Sequence, residues 1–135
     1  MLICSTEPSL AQNHSNLKWR VIETEHFRIY YHQGLERVAT EAMAIAEHIY
    51  GPVTALYDFE PDGKIHIELR DDEDTSNGGA YYYANKVMIY ATNMDWALRG
   101  THAWLWNVIT HEFTHIISLQ VARKAPRRFP ALYFQ

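Results

Sequence analysis

The amino-acid sequence predicts an α+β fold in which a small mixed sheet packs against one long helix and a second, buried helix. Apolar residues alternate in three segments and recur every three or four residues in two longer ones, and 47% of the 135 residues are hydrophobic. A chain of this length supports one globular domain. We expect residues 1–17 to form a flexible N-terminal arm and residues 18–135 to form the folded part.

Three segments read as strands. The alternation within residues 19–32, clearest over 27–31, predicts one half-buried strand or a pair of strands. Residues 65–69 alternate again and predict a second strand. Residues 80–91 are rich in Tyr, Val and Ile around Asn85, which predicts an extended strand or a short hairpin.

Two segments read as helices. An apolar stripe over residues 35–56 predicts the long helix, with a kink or a restart at Gly51 and Pro52. Because this helix connects two strands, we expect those strands to pair in parallel. Residues 103–121 leave so little polar surface that we expect this second helix to be buried in the middle of the domain.

Composition excludes several classes of protein. Sixteen acidic against twelve basic residues give a net charge of -4, which argues against a nucleic-acid partner. Cys4 is the sole cysteine, so an internal disulfide and a cysteine-based zinc ribbon are excluded. No stretch approaches the roughly 18 apolar residues of a transmembrane segment. Residues 9–12 look like the end of a cleaved signal peptide, which favours an extracytoplasmic location, periplasmic or secreted.

One motif carries chemistry. Residues 111–115 read His-Glu-Phe-Thr-His, the HExxH pattern, within the second predicted helix. Side chains four residues apart lie on one helix face, so His111 and His115 can bind one Zn²⁺ ion. Glu112 can reach a water activated by the metal and act as its general base.

The rest of the sequence narrows the class of zinc site. Ser118 and Val121 stand where a metzincin has Gly and His, which excludes that class. Residues 116–135 contain no Asp, Glu or His, so they supply no third ligand of the usual kinds. Five of the other histidines, at positions 26, 32, 48, 66 and 102, lack partners at ligand spacing, and we expect surface or hydrogen-bonded core positions for them.

These residues resemble the gluzincin peptidases, and among them the peptidase-MA-like domains of bacterial proteins that often continue into a TolB-like β-propeller. The resemblance runs from Trp19 to Val121 and includes residues 26–31, 64–69, 77–80 and 85–89, besides the motif. It implies zinc bound by His111 and His115, with Glu112 as base. It also implies that a strand near residues 79–83 or 86–91 lies at the sheet edge and pairs with an extended substrate.

The same resemblance implies a third ligand from a Glu on a later helix. Residues 18–135 are therefore expected to be the N-terminal part of a zincin-like peptidase domain whose C-terminal subdomain follows residue 135. The predicted function is zinc-dependent hydrolysis of a peptide or protein substrate. With two ligands, zinc binding should be weak, and the isolated chain should hydrolyse little or nothing and tend to aggregate.

Two alternatives stay open. One is a non-catalytic zincin-like interaction domain that keeps the metal as a structural staple, and the other is an inert N-terminal piece. Structural zinc sites are closed by four protein ligands, and only two can be named here. The ligand count therefore favours catalytic ancestry.

Overall fold

The computed structural model describes residues 16–71, 77–92 and 103–124. They form a mixed sheet and two α-helices, which confirms the α+β prediction. The predictions for residues 1–15 and for His102 lie outside these ranges. The elements in chain order are β1 (Trp19–Glu23), β2 (Phe27–His32), α1 (Glu36–Tyr57), β3 (Ile65–Arg70), β4 (Gly78–Tyr81), a 3₁₀ turn (Tyr82–Ala84), β5 (Lys86–Tyr90) and α2 (Trp104–Lys124).

The five strands form one sheet in the order β1-β2-β3-β5-β4. Its centre is parallel, with Ile29 of β2 opposite Ile67 of β3, and Ile67 opposite Val87 of β5. Its margins are antiparallel, β1 against β2 and β4 against β5. Residues 19–32 are therefore a pair of strands, and residues 80–91 belong to a hairpin whose turn contains Asn85.

The long helix connects β2 to the parallel strand β3, as predicted. It runs without interruption from Glu36 to Tyr57, so the restart predicted at Gly51 and Pro52 is wrong. Proline removes one backbone donor, but the buried stripe continues on both sides of it, through Ile49 and Val53. Packing of this stripe on the sheet outweighs the lost hydrogen bond.

The hydrophobic core lies between the sheet and the two helices. Phe113 of α2 is central, since its ring centroid lies 5.5 Å from that of Phe27 and 5.8 Å from that of Tyr50. The other fully buried large side chains come from three strands and α2: Ile29, Ile65, Ile67, Leu69, Val87, Ile89, Ile109, Ile116 and Ile117.

The second helix is buried along one side only, so the expectation of a fully buried helix is wrong. Trp106 and Leu119 are 40% and 43% exposed, and His111 and His115 are exposed as well. The number of apolar residues in α2 overestimates its burial, because Trp106 and Leu119 lie on the solvent-exposed side of the helix. Neither described helix combines the length and apolar character that crossing a bilayer requires.

Candidate metal and substrate site

The position of the HExxH motif on α2 follows from the packing of the helix. Phe113, Ile116 and Ile117 face the core. Since successive residues are rotated by about 100° around a helix, burial of these three turns His111 and His115 toward solvent. The motif therefore lies in the middle of Trp104–Lys124, with both histidines on its exposed side.

The two imidazoles converge. Their Nε2 atoms are 2.9 Å apart, and the rings lie edge to face with centroids 4.5 Å apart. This separation is compatible with one ion at the usual Zn–N distance of about 2.0–2.1 Å from each nitrogen. It also fits an N–H···N hydrogen bond between neutral imidazoles. The donor set, two imidazole nitrogens, suits zinc chemically.

Glu112 lies at the border between the core and solvent. It is 8% exposed, and among the residues that the structure describes no hydrogen-bond or ion-pair partner is found for its carboxylate. A Cβ atom added at Gly78 would lie 3.1 Å from Oε1 of Glu112 and 2.6 Å from Cγ2 of Val108. Because Gly78 has no side chain, the side chain of Glu112 can occupy the space beside it.

A cleft of about 480 Å³ opens beside Glu112. It lies between the start of β4 and the first half of α2, and its lining residues are Asn77, Gly78, Trp104, Asn107, Val108, His111 and Glu112. The indole N–H of Trp104 donates to the carbonyl of Tyr90 at 3.0 Å, which fixes one wall. A second groove runs along the exposed side of α2. It is lined by residues from Trp106 to His115, including His111.

Among the described strands, β4 forms the edge of the sheet beside this cleft. The resemblance left two candidates for the edge, and the structure assigns it to β4, because β5 lies between β3 and β4. The N–H of Tyr90 donates to the carbonyl of Asn77, so by the alternation of an antiparallel ladder Gly79 and Tyr81 also bond to β5. The N–H and C=O of Ala80 therefore point away from the sheet.

A third metal ligand is not visible in the described parts of the chain. Within residues 16–71, 77–92 and 103–124, no group of three His, Cys, Asp or Glu side chains is placed to hold an ion. His111 and His115 are thus a pair without a third described partner.

Two histidines outside the motif are hydrogen-bonded, as expected. Nδ1 of His26 lies 2.7 Å from the Glu47 carboxylate, and its ring stacks on Tyr50. Burial alone would raise the pKa of Glu47, but hydrogen bonds from His26 and Thr24 outweigh it and leave that pKa below its ordinary value. The hydroxyl of Tyr30 lies 3.1 Å from Nδ1 of His66, and partial burial, with the charges of Arg28 and Lys86, lowers the pKa of His66.

His32 differs from the expectation of a hydrogen-bonded core position. It is 7% exposed, and its Nδ1 lies 2.9 Å from the carbonyl of Gln33. Its Nε2 is buried without a hydrogen-bond partner in the described part of the molecule. One of the two ring nitrogens of His32 therefore has a hydrogen-bond partner among the described residues, and the other has none. His48 packs against Trp106, with ring centroids 5.3 Å apart.

Sequence reasoning missed Gly78 and Gln120 as site residues. A glycine pair at the start of a strand is a signal for close approach of another backbone or side chain, and Gly78 and Gly79 form such a pair. No local pattern distinguishes Gln120.

Comparison of the chain with protein-family models, with curated proteins and with solved structures finds no match. The case for function therefore depends on the motif and on the geometry of α2 and β4.

Proposed function

We propose that this chain carries the HExxH-bearing subdomain of a zincin-like metallopeptidase that hydrolyses peptide bonds in peptide or protein substrates. One observation carries the proposal: two imidazole nitrogens 2.9 Å apart on the exposed side of a helix, next to a buried glutamate that lines a cleft. A chance HExxH in a helix explains the spacing of the histidines. It does not explain a carboxylate held without a described partner at the mouth of a cleft.

The roles of the residues follow from their positions. The Nε2 atoms of His111 and His115 would hold the zinc ion. Bound zinc lowers the pKa of water and polarises a carbonyl group. Glu112, whose carboxylate borders the cleft, takes the proton of the attacking water. A general base must lie within hydrogen-bond reach of the proton that it accepts, and the position of Glu112 at the cleft meets this requirement.

The outer edge of β4, with which no described strand pairs, supplies the binding surface for substrate. An extended peptide can add as a further strand by bonding to the outward N–H and C=O of Ala80. Gly78, two residues earlier, lies against Glu112 and Val108. A peptide on this edge therefore passes directly beside the general base. Pairing with β4 would orient the peptide backbone for attack by water.

A non-catalytic interaction domain is the competing proposal, and it does not require a complete catalytic zinc site. Only two nitrogen ligands are found in the described parts of the chain, whereas catalytic zinc sites use three protein ligands. The two proposals differ in what they expect of Glu112. A peptidase needs its carboxylate, and an interaction domain does not.

The experiment combines zinc titration with a peptide-cleavage assay. We expect calorimetry on the metal-free chain to show one zinc per chain, weakened at least about tenfold by His111→Ala or His115→Ala. His48→Ala is the matched control and should leave the affinity unchanged. Glu112→Gln should keep zinc and abolish cleavage of a random hexapeptide library.

Each result decides between the proposals. Zinc binding that survives His111→Ala would refute the metal site. Histidine-dependent zinc binding with no cleavage by the wild-type chain would refute peptidase activity of this chain and leave the non-catalytic alternatives. Weak binding is what two ligands predict, and tight binding would locate a third ligand in residues 1–15, 72–76 or 93–102, outside the described ranges.

A further inference from the structure

One side chain joins the HExxH helix to the hairpin that carries the edge strand. Gln120 lies on α2, beyond the motif. Its Nε2 donates to the carbonyl of Tyr82 at 2.7 Å and, through a short hydrogen bond, to Oδ1 of Asn85. Tyr82 begins the 3₁₀ turn of the hairpin, and Asn85 caps its C-terminal end. A single carboxamide therefore bonds both ends of the β4–β5 connection.

Asn85 is suited to this contact. Its backbone is left-handed, with φ at 49°, a conformation that Asn tolerates better than most residues. Its Nδ2 donates to the carbonyl of Asp62 at 2.8 Å, so its Oδ1 is the atom presented to Gln120. The side chain of Asn85 thus connects α2 to the loop before β3.

The hairpin contacts α2 at a second point, far from the first. Gly78 packs against Val108, close to Glu112. Residues 108 and 120 are separated by about 18 Å along a helix that rises 1.5 Å per residue. The motif lies between the two contacts. The hairpin is therefore fixed to α2 near Val108, before the motif, and at Gln120, after it.

We infer that Gln120 is a positioning residue for substrate: it holds the turn end of the hairpin so that the outer edge of β4 stays beside the cleft. This inference rests on the proposed function. Without the two hydrogen bonds, the turn end can move away from α2 while the Gly78 end stays in place. A tilted edge strand binds peptide less well but leaves His111, Glu112 and His115 where they are.

The change should therefore appear in substrate affinity. We expect Gln120→Ala to raise KM roughly 3- to 10-fold with kcat changed less than about 2-fold, the pattern for loss of uniform binding. Gln120→Glu keeps the size, but its ionised carboxylate cannot donate to the Tyr82 carbonyl, so it should behave like Gln120→Ala. Gln120→Lys restores a donor for both acceptors and should recover most of the affinity.

Gln33→Ala is the matched control. Gln33 also donates to a backbone carbonyl, that of Asn16 at 3.3 Å, but it follows β2 and contacts the chain next to β1, at the opposite edge of the sheet from β4. It should leave KM and kcat unchanged.

Two readouts do not require hydrolysis. Amide hydrogen exchange on the zinc-free chain should rise several-fold in residues 78–86 for Gln120→Ala and Gln120→Glu, and should be unchanged there for Gln33→Ala. Peptide affinity is measured in the Glu112→Gln background, with the hexapeptide that this variant enriches most from a random library. We expect a roughly 3- to 10-fold loss on adding Gln120→Ala or Gln120→Glu.

The outcomes separate this inference from the proposed function. Unchanged exchange in the hairpin, an unchanged peptide affinity, or failure to enrich any peptide would overturn the positioning role. A loss of affinity that Gln120→Lys restores supports it, even where the wild-type chain cleaves nothing. In that last case the peptidase activity alone is refuted.

Discussion

Gly78→Ala is the sharpest test of how β4 and α2 fit together. The added Cβ would lie 2.6 Å from Cγ2 of Val108, whereas carbon atoms in contact are normally about 3.5–4.0 Å apart. Val108 is 6% exposed and β-branched, so it has little freedom to turn away. The overlap of about 1 Å must be relieved by movement of β4 away from the helix. Overpacking of this kind costs about 1–3 kcal/mol.

The expected loss of thermal stability follows from the chain length. An unfolding entropy of about 2.1 cal/mol/K per residue gives about 0.28 kcal/mol/K here, so 1–3 kcal/mol lowers Tm by about 4–11 °C. Gly79→Ala is the matched control, because nothing lies within 4 Å of its added Cβ and its φ is not left-handed. Its Tm should stay level or rise slightly.

Thermal unfolding followed by circular dichroism measures both variants on metal-free protein, so the result does not depend on zinc. Equal Tm values for Gly78→Ala and Gly79→Ala would refute the close approach of β4 to α2. Because the added Cβ also lies 3.1 Å from Oε1 of Glu112, the proposed cleavage should fall more for Gly78→Ala than for Gly79→Ala.

Two further predictions concern pH. The pKa of His66 is lowered by burial and by Arg28 and Lys86, so the folded chain holds fewer protons than the unfolded one near pH 6.5, and stability falls as the pH drops through that region. His66→Gln should flatten this dependence in urea unfolding, and an unchanged slope would contradict the assignment. The pKa of Glu47 is lowered by its hydrogen bonds with His26, so its contribution is present above pH 4.5 and lost as the pH falls further. Glu47→Gln should destabilise the chain by roughly 1 kcal/mol at neutral pH and far less at about pH 3, and equal losses at both would exclude the ionised contact.

The elements that were predicted correctly are those whose periodicity is set by one buried face. Ile29, Ile67 and Val87 sit in register across three strands, so each strand shows alternation by itself. The stripe of α1 has the same origin. The motif was located on a helix because Phe113 and its neighbours carry the helical period independently of His111 and His115.

The errors come from tertiary neighbours that local patterns omit. Pro52 does not restart α1, because Ile49 and Val53 are both held in the core. The polar side of α2 contains Trp106 and Leu119, so its composition suggests more burial than it has. Gln120 could not be identified from sequence because its partners, Tyr82 and Asn85, are more than 30 residues away along the chain.

The difference between local patterns and distant partners also limits what the sequence predicts about metal ligands. Two ligands on one helix have a fixed spacing of four residues, which a pattern can detect. A third ligand from another element has no fixed spacing, and geometry alone can identify it. The described residues supply two nitrogens and a neighbouring carboxylate for the proposed zinc site, so zinc titration tests whether a third ligand is present.

The rotation of α2 connects the fold to the site. Phe113 packs between Phe27 and Tyr50, which sets how the helix turns against the sheet. Because neighbouring residues differ by about 100° around the axis, this one contact puts Glu112 at the boundary and His111 in solvent. A substitution that lets the helix roll, such as Phe113→Ala, would move the carboxylate relative to β4 before it broke the helix. Packing of the core face therefore also determines where the proposed base lies. Substitution of Phe113 should lower both the stability of the chain and the proposed activity, whereas substitution of the exposed His111 should lower the activity and leave the stability unchanged.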